Sequence, residues 1–167
     1  MQESNKENQP RGQMRHKNMY RNLLVMAGLS FVAMYILMYA MVNRLDNVHN
    51  SFNQVYMAGL MAAPMVVIEL LLMSAMYPDK RRNALIIAAS VLIGLVFYVF
   101  IRQQTAITDR QFLRSMIPHY AGAILMCEQA KLRDPEIKDL CQSIIKGQQS
   151  EIDQMNAILD RLSTQSD

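Results

Sequence analysis

Three long apolar stretches dominate the first hundred residues, and an amphipathic pattern replaces them afterwards. Residues 23–42 form a run of twenty without a charged side chain. Residues 55–77 form a second run, interrupted only by Glu69, and residues 84–101 a third of eighteen. A hydrocarbon core about 30 Å thick takes roughly 20 helical residues at ~1.5 Å each, so each run can cross it. The first run exceeds the roughly 7–15 apolar residues of a signal peptide, and no convincing A-x-A site follows, which favours a retained helix over a cleaved leader. Residues 1–21 are polar without an apolar period and are expected to form a disordered cytoplasmic tail.

From residue 102 the period becomes that of a half-buried helix. Thr108 or Asp109 can cap a helix carrying Phe112, Met116, Tyr120 (or His119), Ala123, Met126 and Ala130 at helical spacing. Pro118 falls inside this pattern, so a first turn ending there or a kink is expected. Asp134 suits an N-cap, with Pro135 at the first helical position. The second helix then shows Ile137, Leu140/Cys141, Ile144/Ile145, Gln148, Ile152, Met155 and Leu159 as one stripe. Two helices joined by a short turn form an antiparallel hairpin. About sixty residues in two helices bury little surface alone, so the hairpin is expected to pack with a second copy as a four-helix bundle, or against the membrane part. The expected fold is an all-α membrane protein, with a tail over 1–21, three transmembrane helices over 22–101 and a non-cytoplasmic hairpin over 108–163.

Charge gives the spans a direction. Lys6, Arg11, Arg15, Lys17 and Arg21 precede the first, and Lys80-Arg81-Arg82 lies between the second and third. The loop over 43–54 holds only Arg44, partly offset by Asp46. The positive-inside rule therefore puts the N-terminus and second loop in the cytoplasm and everything after Ile101 outside. That is the pattern of a multi-pass protein of the cytoplasmic (inner) membrane whose hairpin is periplasmic or extracellular. Tyr20 and Tyr77 would sit at the inner interface, and Tyr39 and Tyr56 at the outer one. Residues 1–101 hold nine Lys/Arg against five Asp/Glu, and residues 102–167 eight against nine. The surplus of +3 is too small, and too close to apolar segments, for nucleic-acid binding. The mean hydropathy of +0.04 conceals this division. Fifteen methionines stand where about four would be usual, an excess that invites a chemical reading.

Residues 112–159 read FLRSMIPHYAGAILMCEQAKLRDPEIKDLCQSIIKGQQSEIDQMNAIL. Met116-Ile117-Pro118-His119, Ala123-Ile124, Met126, the Asp134-Pro135 turn and Gln148 through Glu151 to Met155 resemble the family called domain of unknown function 305. Upstream, Met34-Tyr35 to Met41, with Asp46, His49, Phe52, Met57 and Met61, look like its membrane-anchored branch. The resemblance implies ferritin-like hairpins, half of a four-helix bundle in each chain, and an association with copper binding and tolerance. The family usually has two adjacent histidines after the proline, whereas this chain has His119-Tyr120. The resemblance therefore carries over one imidazole of that pair, His119.

Soft sulfur ligands select Cu(I), and imidazole also suits copper. Met116, His119 and Met126 fall within about one face of the first hairpin helix, and Gln148, Glu151 and Met155 lie at similar height on the second. They form a candidate copper site, against the plain alternative that methionines fill a bundle core and His119 bonds locally. Cys127 and Cys141 each lie seven residues from Asp134 and could face one another across the hairpin. They could form a disulfide or act as soft ligands, with two ordinary buried thiols as the default. Met34, Met38 and Met41 with Met57, Met61 and Met65 make two stripes near His49, a candidate second soft-metal site or flexible apolar packing. Glu69, a little inward of the middle of the second span, should be protonated, paired or facing a cavity. It could serve an oligomer contact or an ion step, or bond to Ser30 or Ser90. No phosphate loop, zincin helix, activated nucleophile or paired Glu-x-x-His motif occurs, so no enzyme is expected. The leading expectation is copper sequestration, tolerance or hand-off outside the membrane. A structural or accessory subunit, whose hairpin mediates oligomerisation or docking, is the alternative.

Overall fold

A computed structural model describes residues 8–164, with side chains described from Asn18 onward. Among them are five α-helices, two short 3-10 turns and no strand. The helices are α1 (Asn8–Leu37), α2 (Phe52–Leu72), α3 (Lys80–Gln103), α4 (Asp109–Gln129) and α5 (Pro135–Thr164). The 3-10 turns, Met38–Met41 and Leu45–Asn47, lie between α1 and α2. The chain divides into two compact units. One joins the chain up to Tyr35 to Tyr56–Gln103, and the other joins Ile36–Val55 to the chain from Gln104 onward.

The first unit contains three helices long and apolar enough to cross a membrane, over Asn18–Met41, Phe52–Leu72 and Lys80–Gln103, the first span ending in the neighbouring unit. Their large side chains point outward; Leu24 is 76 % and Leu92 63 % exposed, the arrangement expected where the solvent is lipid. Small residues point inward. Gly59 and Ala63 on α2 meet Gly94 and Phe97 on α3, and a Cβ added to Gly59 would lie 2.6 Å from Phe97 Cδ2. Without a hydrophobic drive between helices in lipid, close backbone approach at small residues supplies the van der Waals contact. The tail expected over 1–21 is corrected in part. Residues from Asn8 are helical, because extending a formed helix costs far less than starting one. Residues 1–7 of that tail lie outside the described residues. The second span is shorter than its apolar run: α2 stops at Leu72 and 73–76 form a turn. At that end Tyr20 O–H donates to Asn83 Oδ1 at 2.7 Å, and Asn83 Nδ2 donates to the Tyr77 carbonyl at 2.8 Å. Asp79 immediately precedes α3, accepting the Arg82 N–H at 3.1 Å and pairing with its guanidinium at 2.9 Å.

The second unit is built on ordinary apolar burial. Ile117, Ala121 and Ile124 of α4 close on Ile152 of α5, and Val42, Ile145, Met155 and Leu159 pack around them. Both N-caps read from the sequence are present. Thr108 accepts from Gln111 N at 3.4 Å, and Asp134 Oδ1 from Ile137 N at 3.1 Å, each satisfying an orphan amide of the first turn. Pro118 neither ends nor shortens α4, which runs through it. Its ring is buried, so packing offsets the lost backbone bond. Partners run in opposite directions along the two helices: Cys127 is bonded to Cys141, Tyr120 to Glu151, and Arg110 Nη2 donates to the Leu162 carbonyl at 2.7 Å. The link from α3 into α4 carries Gln104 and Ala106 at φ 50° and 59°, the left-handed region that L residues other than glycine, Asn and Asp rarely enter.

Candidate functional site

The segment Ile36–Val55 is folded into the second unit, so the loop chemistry and the α4/α5 chemistry share one body. The first turn of α2 clips onto α4. The Phe52 amide donates to Gln111 Oε1 at 3.0 Å, and Asn53 Nδ2 donates to Gln104 Oε1 at 3.0 Å and Ser115 Oγ at 3.3 Å. On the 3-10 side Met41 approaches α4 so closely that a Cβ at Gly122 would lie 3.4 Å from the Met41 carbonyl oxygen. Tyr39 O–H bonds Gln54 Oε1, and a 2.9 Å contact joins it to the His49 carbonyl. Asn47, Ser51 and Gln54 are buried around it. These polar side chains give a segment without regular hydrogen bonding its partners.

His49 is a half-buried ring in this unit. Burial and the Arg114 guanidinium hold its pKa below the ordinary histidine value, and a hydrogen bond with the Asn156 side chain opposes them. Its Nε2 is buried without a hydrogen-bond partner among the described residues. Arg114, Asn156 and Tyr39 were not visible as site residues in the sequence. Their separation from His49 by ten to more than a hundred positions leaves no local signature.

On α4, His119 is exposed, Met116 is half-buried and Met126 is 54 % exposed. Tyr120, which stands where the family usually has its second histidine, reaches α5, and its hydroxyl hydrogen-bonds Glu151. That bond and the nearby carboxylate charge push the phenol above its ordinary value. Gln148 Oε1 is buried without a partner among the described residues, and Met155 packs into the α4/α5 core. Cys127 and Cys141 are joined as a disulfide, which corrects the default of two buried thiols. Equal spacing from the turn brings their Cα atoms to 5.3 Å, within bonding reach. As a disulfide, neither is a thiolate ligand. Among the described residues no three His, Cys, Asp or Glu side chains gather at one point.

The two methionine stripes are divided between units. Met34, Met57, Met61 and Met65 belong to the membrane-compatible unit, whereas Met38, Met41 and His49 belong to the other. Glu69 does not line the grooves that Ser30 and Ser90 line; it shares a pocket with Asn22 and Tyr77. The reason is the early end of α2 at Leu72, which puts Glu69 three residues from a helix terminus instead of near its middle.

Together these features define a class: an all-helical protein with three membrane-compatible spans and a disulfide-joined helix pair. The chain belongs to the family described as Domain of unknown function (DUF305), whose match covers residues 100–159. It is similar to "Uncharacterized protein L153" of Acanthamoeba polyphaga mimivirus, 37% identical over 147 residues that cover 86% of this chain and 95% of that protein. That alignment reaches well beyond the family match, so the likeness includes most of the apolar helices as well as the helix pair. No solved structure matches.

Proposed function

We propose that this chain is a membrane-anchored assembly module whose α4/α5 hairpin joins a second copy in a four-helix bundle outside the membrane. The observation that carries this reading is an apolar surface beside the disulfide: Met126 is 54 %, Ile137 48 % and Leu140 59 % exposed. Large apolar side chains clustered on a water-facing element mark an interaction site. Glu128, Lys131, Arg133, Glu136, Lys138 and Asp139 supply both signs of charge along the same stretch of chain. A mixed rim suits a two-fold interface, in which each patch meets its own copy. The charges flanking the spans support an N-terminus in the cytoplasm and the helix pair on the far side of the cytoplasmic membrane, and the disulfide agrees with an oxidising compartment. Native mass spectrometry of the full chain in lipid nanodiscs tests the reading. The wild type should be a dimer and Ile137→Lys/Leu140→Lys a monomer; equal masses would overturn it.

A second reading, soft-metal sequestration or hand-off, is supported by the exposed His119 and Met126 with half-buried Met116 along α4. Reduction of the disulfide would add two thiolates, and copper is the metal this donor set suits. Titration of the full chain with Cu(I) against a competing chelator tests it. Unchanged affinity in His119→Ala/Met116→Leu would remove these residues as ligands.

A further inference from the structure

The first unit holds a pocket unlike its other grooves. The others are lined by apolar side chains with neutral polar ones such as Asn22, Ser30 and Ser90, whereas this one, of about 240 Å³, is lined by Glu69 together with Met19, Met26 and Met76. Asn22 and Tyr77 add a carboxamide and a phenol. Three of the fifteen methionines therefore meet the only acidic residue of the apolar spans. Among the described residues, the ion pair formed in this unit is Asp79 with Arg82, and no cation pairs with Glu69. A carboxylate within a span is costly unless it is neutral, paired or facing a cavity, and Glu69 faces one.

We propose that this pocket is a binding site for a soft monovalent cation, held by the sulfurs of Met19, Met26 and Met76 with Glu69 as its counter-charge. Thioethers are neutral and polarizable, so they bind soft ions such as Cu(I) or Ag(I) and discriminate against hard ones such as Na⁺ and Mg²⁺. The carboxylate supplies the single negative charge that one such ion needs, so the occupied pocket is neutral in an apolar unit. Met19 and Met26 are seated against the core of Leu23, Val66, Leu70 and Tyr77, which limits their freedom. Met76 lies on the turn after α2 and is about half exposed. That exposure gives the ion an entry from solvent at the end of the span. All four donors lie outside the residues matched by the family, so the site is independent of the α4/α5 readings.

The test is Ag(I) titration of the full chain in nanodiscs carrying ¹³C-methyl methionine, followed by NMR and by bound-silver counting. Single Met→Leu variants, which nearly conserve volume, assign the methyl signals. Expected is one tight equivalent of silver that shifts the Met19, Met26 and Met76 methyls together. That equivalent should weaken at least tenfold in Glu69→Gln and be lost in Met19→Leu/Met26→Leu/Met76→Leu. Met116→Leu/Met155→Leu, on α4 and α5, should retain it. Silver that leaves these three methyls unshifted, or that binds the triple variant as tightly as wild type, would overturn the proposal. Equal binding of Na⁺ or Mg²⁺ would overturn it as well, since thioethers would not confer that preference.

Discussion

The membrane-compatible unit and the α4/α5 unit pack their helices in opposite ways. In the first, large side chains such as Leu24 and Leu92 face outward and small residues make the contacts between helices. In the second, Ile117, Ile124 and Ile152 are almost wholly buried while charged residues cover the outside. Caps and a disulfide hold the second unit, whereas polar clips at one end and an interlocked glycine and phenylalanine hold the first. Hydrophobic burial organises helices only where water is the alternative, and in lipid shape and hydrogen bonding take over.

Substitutions that act on one unit alone sharpen this contrast. Ile152 is 1 % exposed at the centre of the α4/α5 core, so Ile152→Ala should cost about 2–5 kcal/mol in that unit. Thermal unfolding followed at α4/α5 should show the loss, while the helices of the first unit keep their transition. Removing the disulfide as Cys127→Ser/Cys141→Ser should cost about 3 kcal/mol, since it frees a loop of fourteen-residue separation. Reductant should lower the denaturant midpoint of the wild type to that of the variant, and should leave the variant's midpoint unchanged. Gly59→Ala tests the other region, where a methyl meets the Phe97 ring, and should cost about 1–3 kcal/mol. Its readout is the denaturation midpoint of the first unit in mixed micelles, with α4/α5 unchanged.

The smallest expected effect is pH dependence in the second unit. His49 has a folded pKa below its unfolded value of about 6.5, so the folded state binds fewer protons. Its contribution is fully present above about pH 6.5 and is lost as pH falls through the folded pKa. Stability measured from pH 8 to 5 should therefore drop at the acid end, and His49→Gln should flatten that drop.

The spans were legible because twenty apolar residues admit few other structures, and the caps at Thr108 and Asp134 because capping is local chemistry. Other features depend on contacts between distant residues. The incorporation of Ile36–Val55 into the second unit rests on bonds such as Phe52 to Gln111, which no periodicity announces. Equal spacing of Cys127 and Cys141 from the turn allowed a disulfide, but the choice between bond and thiols needed their Cα separation. Met19, Met26 and Met76 have no regular spacing that would announce a shared pocket, whereas Met34, Met38 and Met41 and Met57, Met61 and Met65 recur every three or four residues. Glu69 lies nearer a helix end than its apolar run implies, because α2 ends inside that run.

The contrast between two solvents is tested most directly by the reactivity of single introduced cysteines with a membrane-impermeant maleimide in sealed nanodiscs. Leu92→Cys reports the outward face of α3, and Lys146→Cys the exposed face of α5, with the native disulfide left intact. Rapid labelling at position 146 and none at 92 until the bilayer is dissolved is the expected result. Labelling at 92 as fast as at 146 would mean that the apolar face of α3 meets water, and would contradict the membrane assignment.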